Sequence, residues 1–418
     1  FMILLLRICV RVHETDNAQT SVLSDAGGPL FATEMRSDNP FDYAQLTFDF
    51  QQSGNAPREL IKFNAVLGQF NNESDTAFTT TPAGGGGINS YVTRSVTENA
   101  DLSAKLDVEH PQADERFLTF GAAYDYSDEH FENALTGLSG VTPPGYAAAL
   151  DGESQSLAAY VTYQFDIGDW TLLPGLRAEG YWREVNSGGS SIEDDDTRLF
   201  PSIHIRNALT RNINVDLSYT SRISRPGLQQ LDPALRFIDV DRAFSGNPNL
   251  EPTTTDAFEA NFVYQKNGSS FSVTFFDRIS DDIVSQFTEL TPGGVIVSMP
   301  VNAGESEQRG LQALLRGPIG ERWRYSLSGN VLSRAYDSLS GGVITRREDV
   351  EYDGVVQLDY RDPDQDAVGA NQFQFEVRFV GPRHGLQTEI DPFYLANFTW
   401  RRRLPPKLFC VIMMQYIL

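Results

Sequence analysis

The sequence predicts an all-β chain folded as a transmembrane antiparallel β-barrel, and three observations carry that prediction. The first is strict two-residue alternation. Leu102, Ala104, Leu106 and Val108 stand between polar neighbours, and Phe373, Phe375, Val377 and Phe379 alternate with Gln372, Gln374, Glu376 and Arg378. Period two sends successive side chains to opposite faces, so each segment is apolar on one side and polar on the other. The second is strand length: many segments run about nine to eleven residues, the length of a tilted bilayer-crossing strand, where sandwich strands are nearer five or six. The third is that short and long connections alternate without a break, as they do between the two sides of a membrane barrel. No run of 18 apolar residues is present, so no membrane-spanning helix is written in this chain.

Taken in order, residues 1–12 are apolar but interrupted by Arg7, and no small-x-small cleavage site follows. A secretory signal is therefore disfavoured, and the chain reads as beginning mid-gene. Residues 1–15 are set apart as an N-terminal segment, either a partial strand or out-of-frame sequence. Strands are predicted around 44–51, 60–70, 101–109, 117–126, 156–166, 170–183, 199–207, 213–221, 256–264, 271–279, 306–316, 323–333, 350–360, 372–379, 393–402 and 408–418. Residues 1–12 would make a seventeenth. Short links fall at 52–59, 111–116, 167–169, 208–212, 266–270, 317–322, 361–370 and 403–407. Long ones fall at 71–100, 127–155, 184–198, 222–255, 280–305, 334–349 and 380–392.

The aromatics gather beside the short links. Tyr163, Phe165 and Trp170 flank one, Phe262, Tyr264 and Phe271 another, and Trp323 with Tyr325 follows a third. Tyr360 and Phe373 border the link at 361–370, and Phe398 and Trp400 precede the last. Amphipathic rings favour the headgroup level, so this pattern predicts an interfacial girdle on the short-link side. The polar faces are then expected to line a lumen, with Lys105, Asp107, Glu109, Arg177, Glu179, Arg183, Glu376 and Arg378 on them. A sheet with one lipid face and one wet face satisfies its backbone in a bilayer only if it closes.

Composition removes other classes. A net charge of -23, from 56 acidic and 33 basic residues, argues against a nucleic-acid binder. Cys9 and Cys410 are the two cysteines and sit at opposite ends, which excludes a disulfide framework and a cysteine-ligated zinc site. The histidines, His13, His110, His130, His204 and His384, show no metal-ligand spacing. Asp362 to Asp366 begins like a calcium loop, but Ala367 stands where glycine is needed and Phe373 where the bidentate glutamate belongs. Gly84–Gly87 precedes no helix, so it reads as a loop tip and not a phosphate cradle. No catalytic, cofactor or metal residues are assigned, and the ligand-binding residues are left unknown.

The link from Ser221 to Thr255 carries Ser224-Arg225-Pro226, Leu231-Asp232-Pro233 and Gly246-Asn247-Pro248-Asn249-Leu250-Glu251-Pro252, and leads into Phe258-Glu259-Ala260-Asn261-Phe262. Asn302-Ala303-Gly304 precedes Gly310-Leu311-Gln312, and Gly381-Pro382-Arg383 precedes Asp391-Pro392-Phe393-Tyr394. Over roughly residues 40–402 this succession resembles the barrel of TonB-dependent outer-membrane receptors. Independently of any family, Pro226, Pro233, Pro248 and Pro252 fix φ and remove donors, so the link can be ordered without being a strand. Packing the loop and binding a ligand are equally open roles for it.

The resemblance implies a Gram-negative outer-membrane receptor that imports a bulky nutrient of the siderophore, cobalamin or oligosaccharide class. Its partners would be outer-membrane lipid, the ligand, and a TonB-type energy-transducing complex acting through an N-terminal plug, which is not recognisable in this sequence. Ligand contacts would come from the links at 127–155, 184–198, 222–255 and 280–305. Such barrels have 22 strands. The final strand leaves a short turn, so residues 16–418 are expected to be a barrel truncated before its last strand. The alternative is a soluble, secreted β-rich carbohydrate-binding protein whose apolar faces pack on a second sheet. An outer-membrane hydrolase would need a Ser/His pair that sequence does not place.

Overall fold

The computed structural model describes residues 2–25, 28–54, 56, 58–82, 88–112, 116–139, 145–340, 343–365, 367–384, 389–404 and 408–417. Gly84–Gly87 and Pro405–Pro406 lie outside the described residues. The first strands are β1 (Met2–His13), β2 (Asp16–Asp25), β3 (Gly28–Asp38), β4 (Phe41–Ser53) and β5 (Leu60–Pro82). Next come β6 (Asn89–Pro111), β7 (Phe117–Ser139), β8 (Gly145–Ile167), β9 (Trp170–Ser187), β10 (Ser190–Thr210) and β11 (Ile213–Ser224). One helical turn, α1 (Leu228–Leu231), and the short strands β12 (Leu235–Phe237) and β13 (Arg242–Ser245) precede β14 (Thr253–Lys266) and β15 (Ser269–Asp281). They are followed by β16 (Val284–Leu290), β17 (Ile296–Asn302), β18 (Ser306–Ile319), β19 (Trp323–Ser340), β20 (Val343–Arg361) and β21 (Asn371–Val380). The last are β22 (Arg383–His384), β23 (Glu389–Ile390), β24 (Phe393–Leu404) and β25 (Leu408–Ile417).

All of these strands but β12, β13, β16, β17, β22 and β23 build one antiparallel meander. β1 pairs with β4 and β2 with β3, while β4 and β3 lie one after the other along β5. β1 with β2, and β3 with β4, are thus each a single course broken once, at Thr15 and at Asn39–Pro40, where the Asn39 N–H donates to the Thr15 carbonyl at 3.1 Å. Proline has no N–H for the ladder, which fixes the break. From β5 to β11, and on through β14, β15, β18, β19, β20, β21, β24 and β25, each strand pairs with the next. Residues 2–13 supply a course in register from Met2 opposite Gln52 to His13 opposite Phe41.

The outward face is apolar. Leu315, Leu327, Val356 and Val377 stand opposite one another on four successive strands. Leu67, Phe120, Leu157, Leu176, Phe275, Val331 and Phe375 on the same face are exposed. In water such a belt would be a large penalty at about 25 cal/mol per Å², and in lipid it is none. The soluble alternative needs a second sheet against this face, and the described residues carry none there. The predicted girdle is present at the short-turn edge. Trp323, Tyr360, Phe373 and Trp400 form one cross-strand row, with neighbouring ring centroids 4.9, 5.7 and 6.2 Å apart.

The short links at 167–169 and 266–270 are tight turns as expected. Asn267 and Gly268 both take positive φ, 50° and 78°, the geometry a two-residue hairpin needs. The calcium-like stretch is a capped turn: Asp362 accepts from the Asn371 N–H at 2.8 Å and the Tyr360 hydroxyl at 2.7 Å. Those donors, the backbone N–H first, hold the Asp362 carboxyl below its usual range. The long links at 71–100, 127–155, 184–198 and 334–349 differ from the expectation of loops. There the strands simply continue upward as tall hairpins, and the link at 184–198 shrinks to a turn at Gly188–Gly189. The links at 222–255 and 280–305 leave the wall over most of their length and fold separately, and within the link at 380–392 β22 pairs with β23 apart from the wall.

Candidate functional site

Those two links fold together. β12 pairs with β13, β13 runs parallel to β17, and β17 pairs with β16, giving a four-stranded sheet built from both. The Gly246-to-Pro252 block is the staple. Gly246 N–H donates to the Asp232 carbonyl and Asn247 N–H to the Gln230 carbonyl, both at 2.7 Å. Asn302 completes the join: its Oδ1 accepts from the Glu251 N–H at 2.9 Å, and its Nδ2 donates to the Glu251 and Asp282 carbonyls at 3.0 and 2.8 Å. Ala303 and Gly304 close the second link through hydrogen bonds with Ile283. These contacts pack and orient the block within the insert.

The insert lies on the inner face of the tall hairpins. In one core, Leu228, Leu231 and Leu250 pack on Leu150 of β8 and Val185 of β9. Each fully buried leucine there is worth roughly 1.5–3 kcal/mol. In the other, Phe237, Ala243 and Val297 pack on Phe78, Tyr91 and Leu135 of β5, β6 and β7. Asn133 of β7 reads the insert's backbone directly, accepting from the Phe237 N–H at 2.8 Å and donating to its carbonyl at 3.3 Å. Burial, with Asp239 nearby, pushes the Tyr91 phenol up to about 12. The apolar phase is therefore reversed along a single strand. On β5, Ile61, Phe63 and Leu67 face outward at odd positions, whereas Phe78 faces inward at an even one.

Below these cores the inner wall is polar and ionic. Arg225 leaves β11 and spans the wall: Nη1 donates to Glu179 of β9 at 2.6 Å and Nη2 to Asp196 of β10 at 2.7 Å. Its guanidinium lies 4.2 Å from the Tyr181 ring centroid. Arg177 also binds Glu179 at 2.6 Å, and Arg198 binds Asp196 at 2.9 Å. Arg183, with its side chain 4% exposed, binds Asp194 at 2.8 Å. The other predicted luminal residues stand on the same face. Lys105 pairs with Asp107 at 3.2 Å, Glu109 with Lys62 at 2.6 Å, and Glu376 accepts from Asn397 at 3.3 Å. Arg378 lies in register with Val355 and Leu395.

Two buried charges escaped sequence reasoning. Asp232 is 1% exposed and accepts from the Ser187 hydroxyl at 2.6 Å and the Ala234 N–H at 2.9 Å. Arg236 lies between the Phe131 and Phe244 rings and donates to Gln229 Oε1 at 2.7 Å. Burial lowers its pKa against the pull of Asp232 and Glu129. Their proline-rich context marked an ordered loop and gave no sign of which wall would cover them. The links at 127–155, 184–198, 222–255 and 280–305 meet at this one place. Gly381 lies elsewhere, its N–H donating to the Tyr352 carbonyl at 2.8 Å. Among the described residues no group of three or more His, Cys, Asp or Glu is placed to hold a metal ion.

Comparison with known structures supplies the fold's relatives. The ferric yersiniabactin uptake receptor FyuA of Yersinia pestis superimposes with a TM-score of 0.56 at 12% identity, over 97% of this chain and 69% of that one. The siderophore receptor PiuA of Acinetobacter baumannii gives 0.55 at 12% identity, over 97% and 73%. The FrpB iron transporter of Neisseria meningitidis, in its F3-3 variant, gives 0.52 at 11%, over 97% and 75%. At such identities the likeness is one of fold. No curated protein gives a match. Residues 52–407 match the Outer membrane protein beta-barrel family. The lipid-facing belt, the aromatic row and this match place the chain in the outer membrane, and it belongs to the Outer membrane protein beta-barrel family.

Proposed function

We propose that the chain forms the barrel wall of a TonB-dependent receptor for energy-coupled uptake of a bulky nutrient of the siderophore, cobalamin or oligosaccharide class. The observation that carries this reading is the insert: two long links join into a sheet that lines the inner wall at the long-link end, above an ion-paired lumen. An inward-folded mouth suits capture of a solute too large to diffuse through an open pore. The uptake receptors and transporters of the same fold support it. In this reading the protein is a transporter without catalysis, and energy arrives from a TonB-type complex through a plug.

Whole-cell uptake tests it. Cells carrying the full gene should accumulate one labelled ligand from a panel of ferric siderophores, cobalamin and oligosaccharides, and a protonophore should abolish the accumulation. Uptake that persists with the protonophore would overturn the energy-coupled reading. Loss of no ligand's uptake on deletion of the gene would overturn the reading as a receptor.

A further inference from the structure

We infer that the solute of the proposed receptor is a cation with an aliphatic surface, and that Ile238, Ile296 and Leu290 at the tip of the insert are its first seat. This deepens the receptor reading and rests on it. In the insert's sheet, Phe237, Ala243 and Val297 turn to the wall. Side chains alternate between the faces of a sheet, so Ile238, Arg242 and Ile296 turn away from the wall. Leu290 joins them opposite Ile296, and the Ile238 N–H donates to the Arg242 carbonyl at 3.0 Å, which brings Ile238 into the same row.

The row is open to solvent. Ile238 is 54% exposed, Ile296 41% and Leu290 69%. With about 4.8 Å between strands, the row is about 14 Å long. It stands at the end of β16 and β17 remote from the Asn302 join, beside a turn in which the Thr291 N–H donates to the Val295 carbonyl at 2.9 Å. The exposed aliphatics of the barrel strands face lipid. These three lie at the long-link end, in water, where a contiguous apolar row marks a contact with another molecule.

The charges beside the row choose its ligand. Arg242 donates to Asp239 Oδ2 from Nε at 2.7 Å and from Nη2 at 2.6 Å, so it is neutralised within the tip. The Asp241 carbonyl accepts from the Ile296 N–H at 2.7 Å, which sets Asp241 beside the row. Glu289 precedes Leu290 on β16, the edge strand. Among the described residues neither Asp241 nor Glu289 has an ion-pair partner. The surrounding links add the same sign. Those at 127–155 and 280–305 contain no lysine or arginine, and the one at 184–198 carries five carboxylates to one arginine. A mouth of one sign concentrates solutes of the other and speeds their capture. An anion is repelled there, and a sugar finds no ring in the row to lie on. A cation with a methylene surface complements both features.

The probe is a linear ferric tris-hydroxamate with a free terminal ammonium, set against its N-acetyl form, a ferric tris-catecholate trianion, cyanocobalamin and a maltooligosaccharide. At low salt the full protein in detergent should bind the ammonium form about fivefold more tightly than the N-acetyl form, the scale of an exposed charge pair. Added salt should close that gap. Leu290→Gln and Ile296→Gln should each weaken both hydroxamates roughly tenfold, and Asp241→Asn should narrow the gap between them. Heat-modifiable electrophoretic mobility would show that each variant is folded. No binding of the ammonium form, equal binding of the two hydroxamates, tighter binding of any other probe, or unchanged affinity in both glutamine variants would overturn the inference. Energy-dependent uptake of one of the other solutes in its place would sink this inference alone, whereas uptake of none of them would sink the receptor reading.

Discussion

A Cβ at Gly246 would lie 2.5 Å from the carbonyl oxygen of Asp232, with the Gln230 carbonyl at 2.6 Å and the Asp232 nitrogen at 2.7 Å. All three neighbours are backbone atoms and cannot swing aside. Gly246→Ala should therefore cost about 1–3 kcal/mol of overpacking and break the paired hydrogen bonds to residues 230 and 232. Hydrogen exchange should show faster exchange across residues 228–250 with the barrel strands still protected. Unchanged protection there would sink the idea that this block staples the insert.

Arg225 ties the insert's entry to two strands of the wall. Replacing one partner of a buried ion pair leaves the others uncompensated, a loss of about 3–5 kcal/mol. Arg225→Gln should loosen residues 226–252, and Arg225→Lys should rescue only part of it, since one ammonium does not span both carboxylates in a fixed fork. A double-mutant cycle with Glu179→Gln measures the coupling. Strict additivity would mean the bridge contributes nothing.

The β7–β8 hairpin should respond to pH above the membrane. His130 Nδ1 lies 2.6 Å from Asp151 and Nε2 3.4 Å from Glu132, with Glu98 opposite on β6. The hydrogen bond to Asp151 raises the His130 pKa, against a smaller lowering by burial. A raised folded pKa stabilises fully below the ordinary imidazole value, and that stabilisation disappears as pH rises through the raised one. Amide protection near residues 128–133 and 149–153 should fall over that window after correction for intrinsic exchange. His130→Gln should abolish the dependence.

Side-chain direction can be checked in the membrane. Nitroxides at Phe275 and Phe375 should collide with oxygen dissolved in lipid, while one at Glu376 should meet a water-soluble nickel chelate. The same accessibility at neighbouring positions 375 and 376 would contradict a sheet with one lipid face and one wet face.

The period of two, the short turns and the aromatic rows were all legible in the sequence. Each is dictated by lipid on one face alone: Phe373, Phe375 and Phe379 keep their alternation because the bilayer demands it. Asn71 to Thr76 did not read as strand because above the membrane both faces are wet there, and polar residues then occupy both. Phe78, Leu135 and Val185 looked sporadic because they answer to the insert, a partner distant in sequence. The Gly246-to-Pro252 block signalled order without a destination. Its wall contacts belong to β7, β8 and β9, which no local pattern names.

The reversal of apolar phase along β5 and its neighbours means that one strand is fitted to two solvents. Its lower half is kept in shape by hydrocarbon outside, its upper half by a dry interior assembled in water. Chemical stresses should then separate the halves. Urea, which solvates apolar and peptide groups but stays out of a micelle's interior, should strip the insert from the wall first. Harsh short-chain detergent should act from the opposite end, fraying the belt before the mouth. Such a protein has two melting orders, and the choice of solubilising agent decides which one is seen.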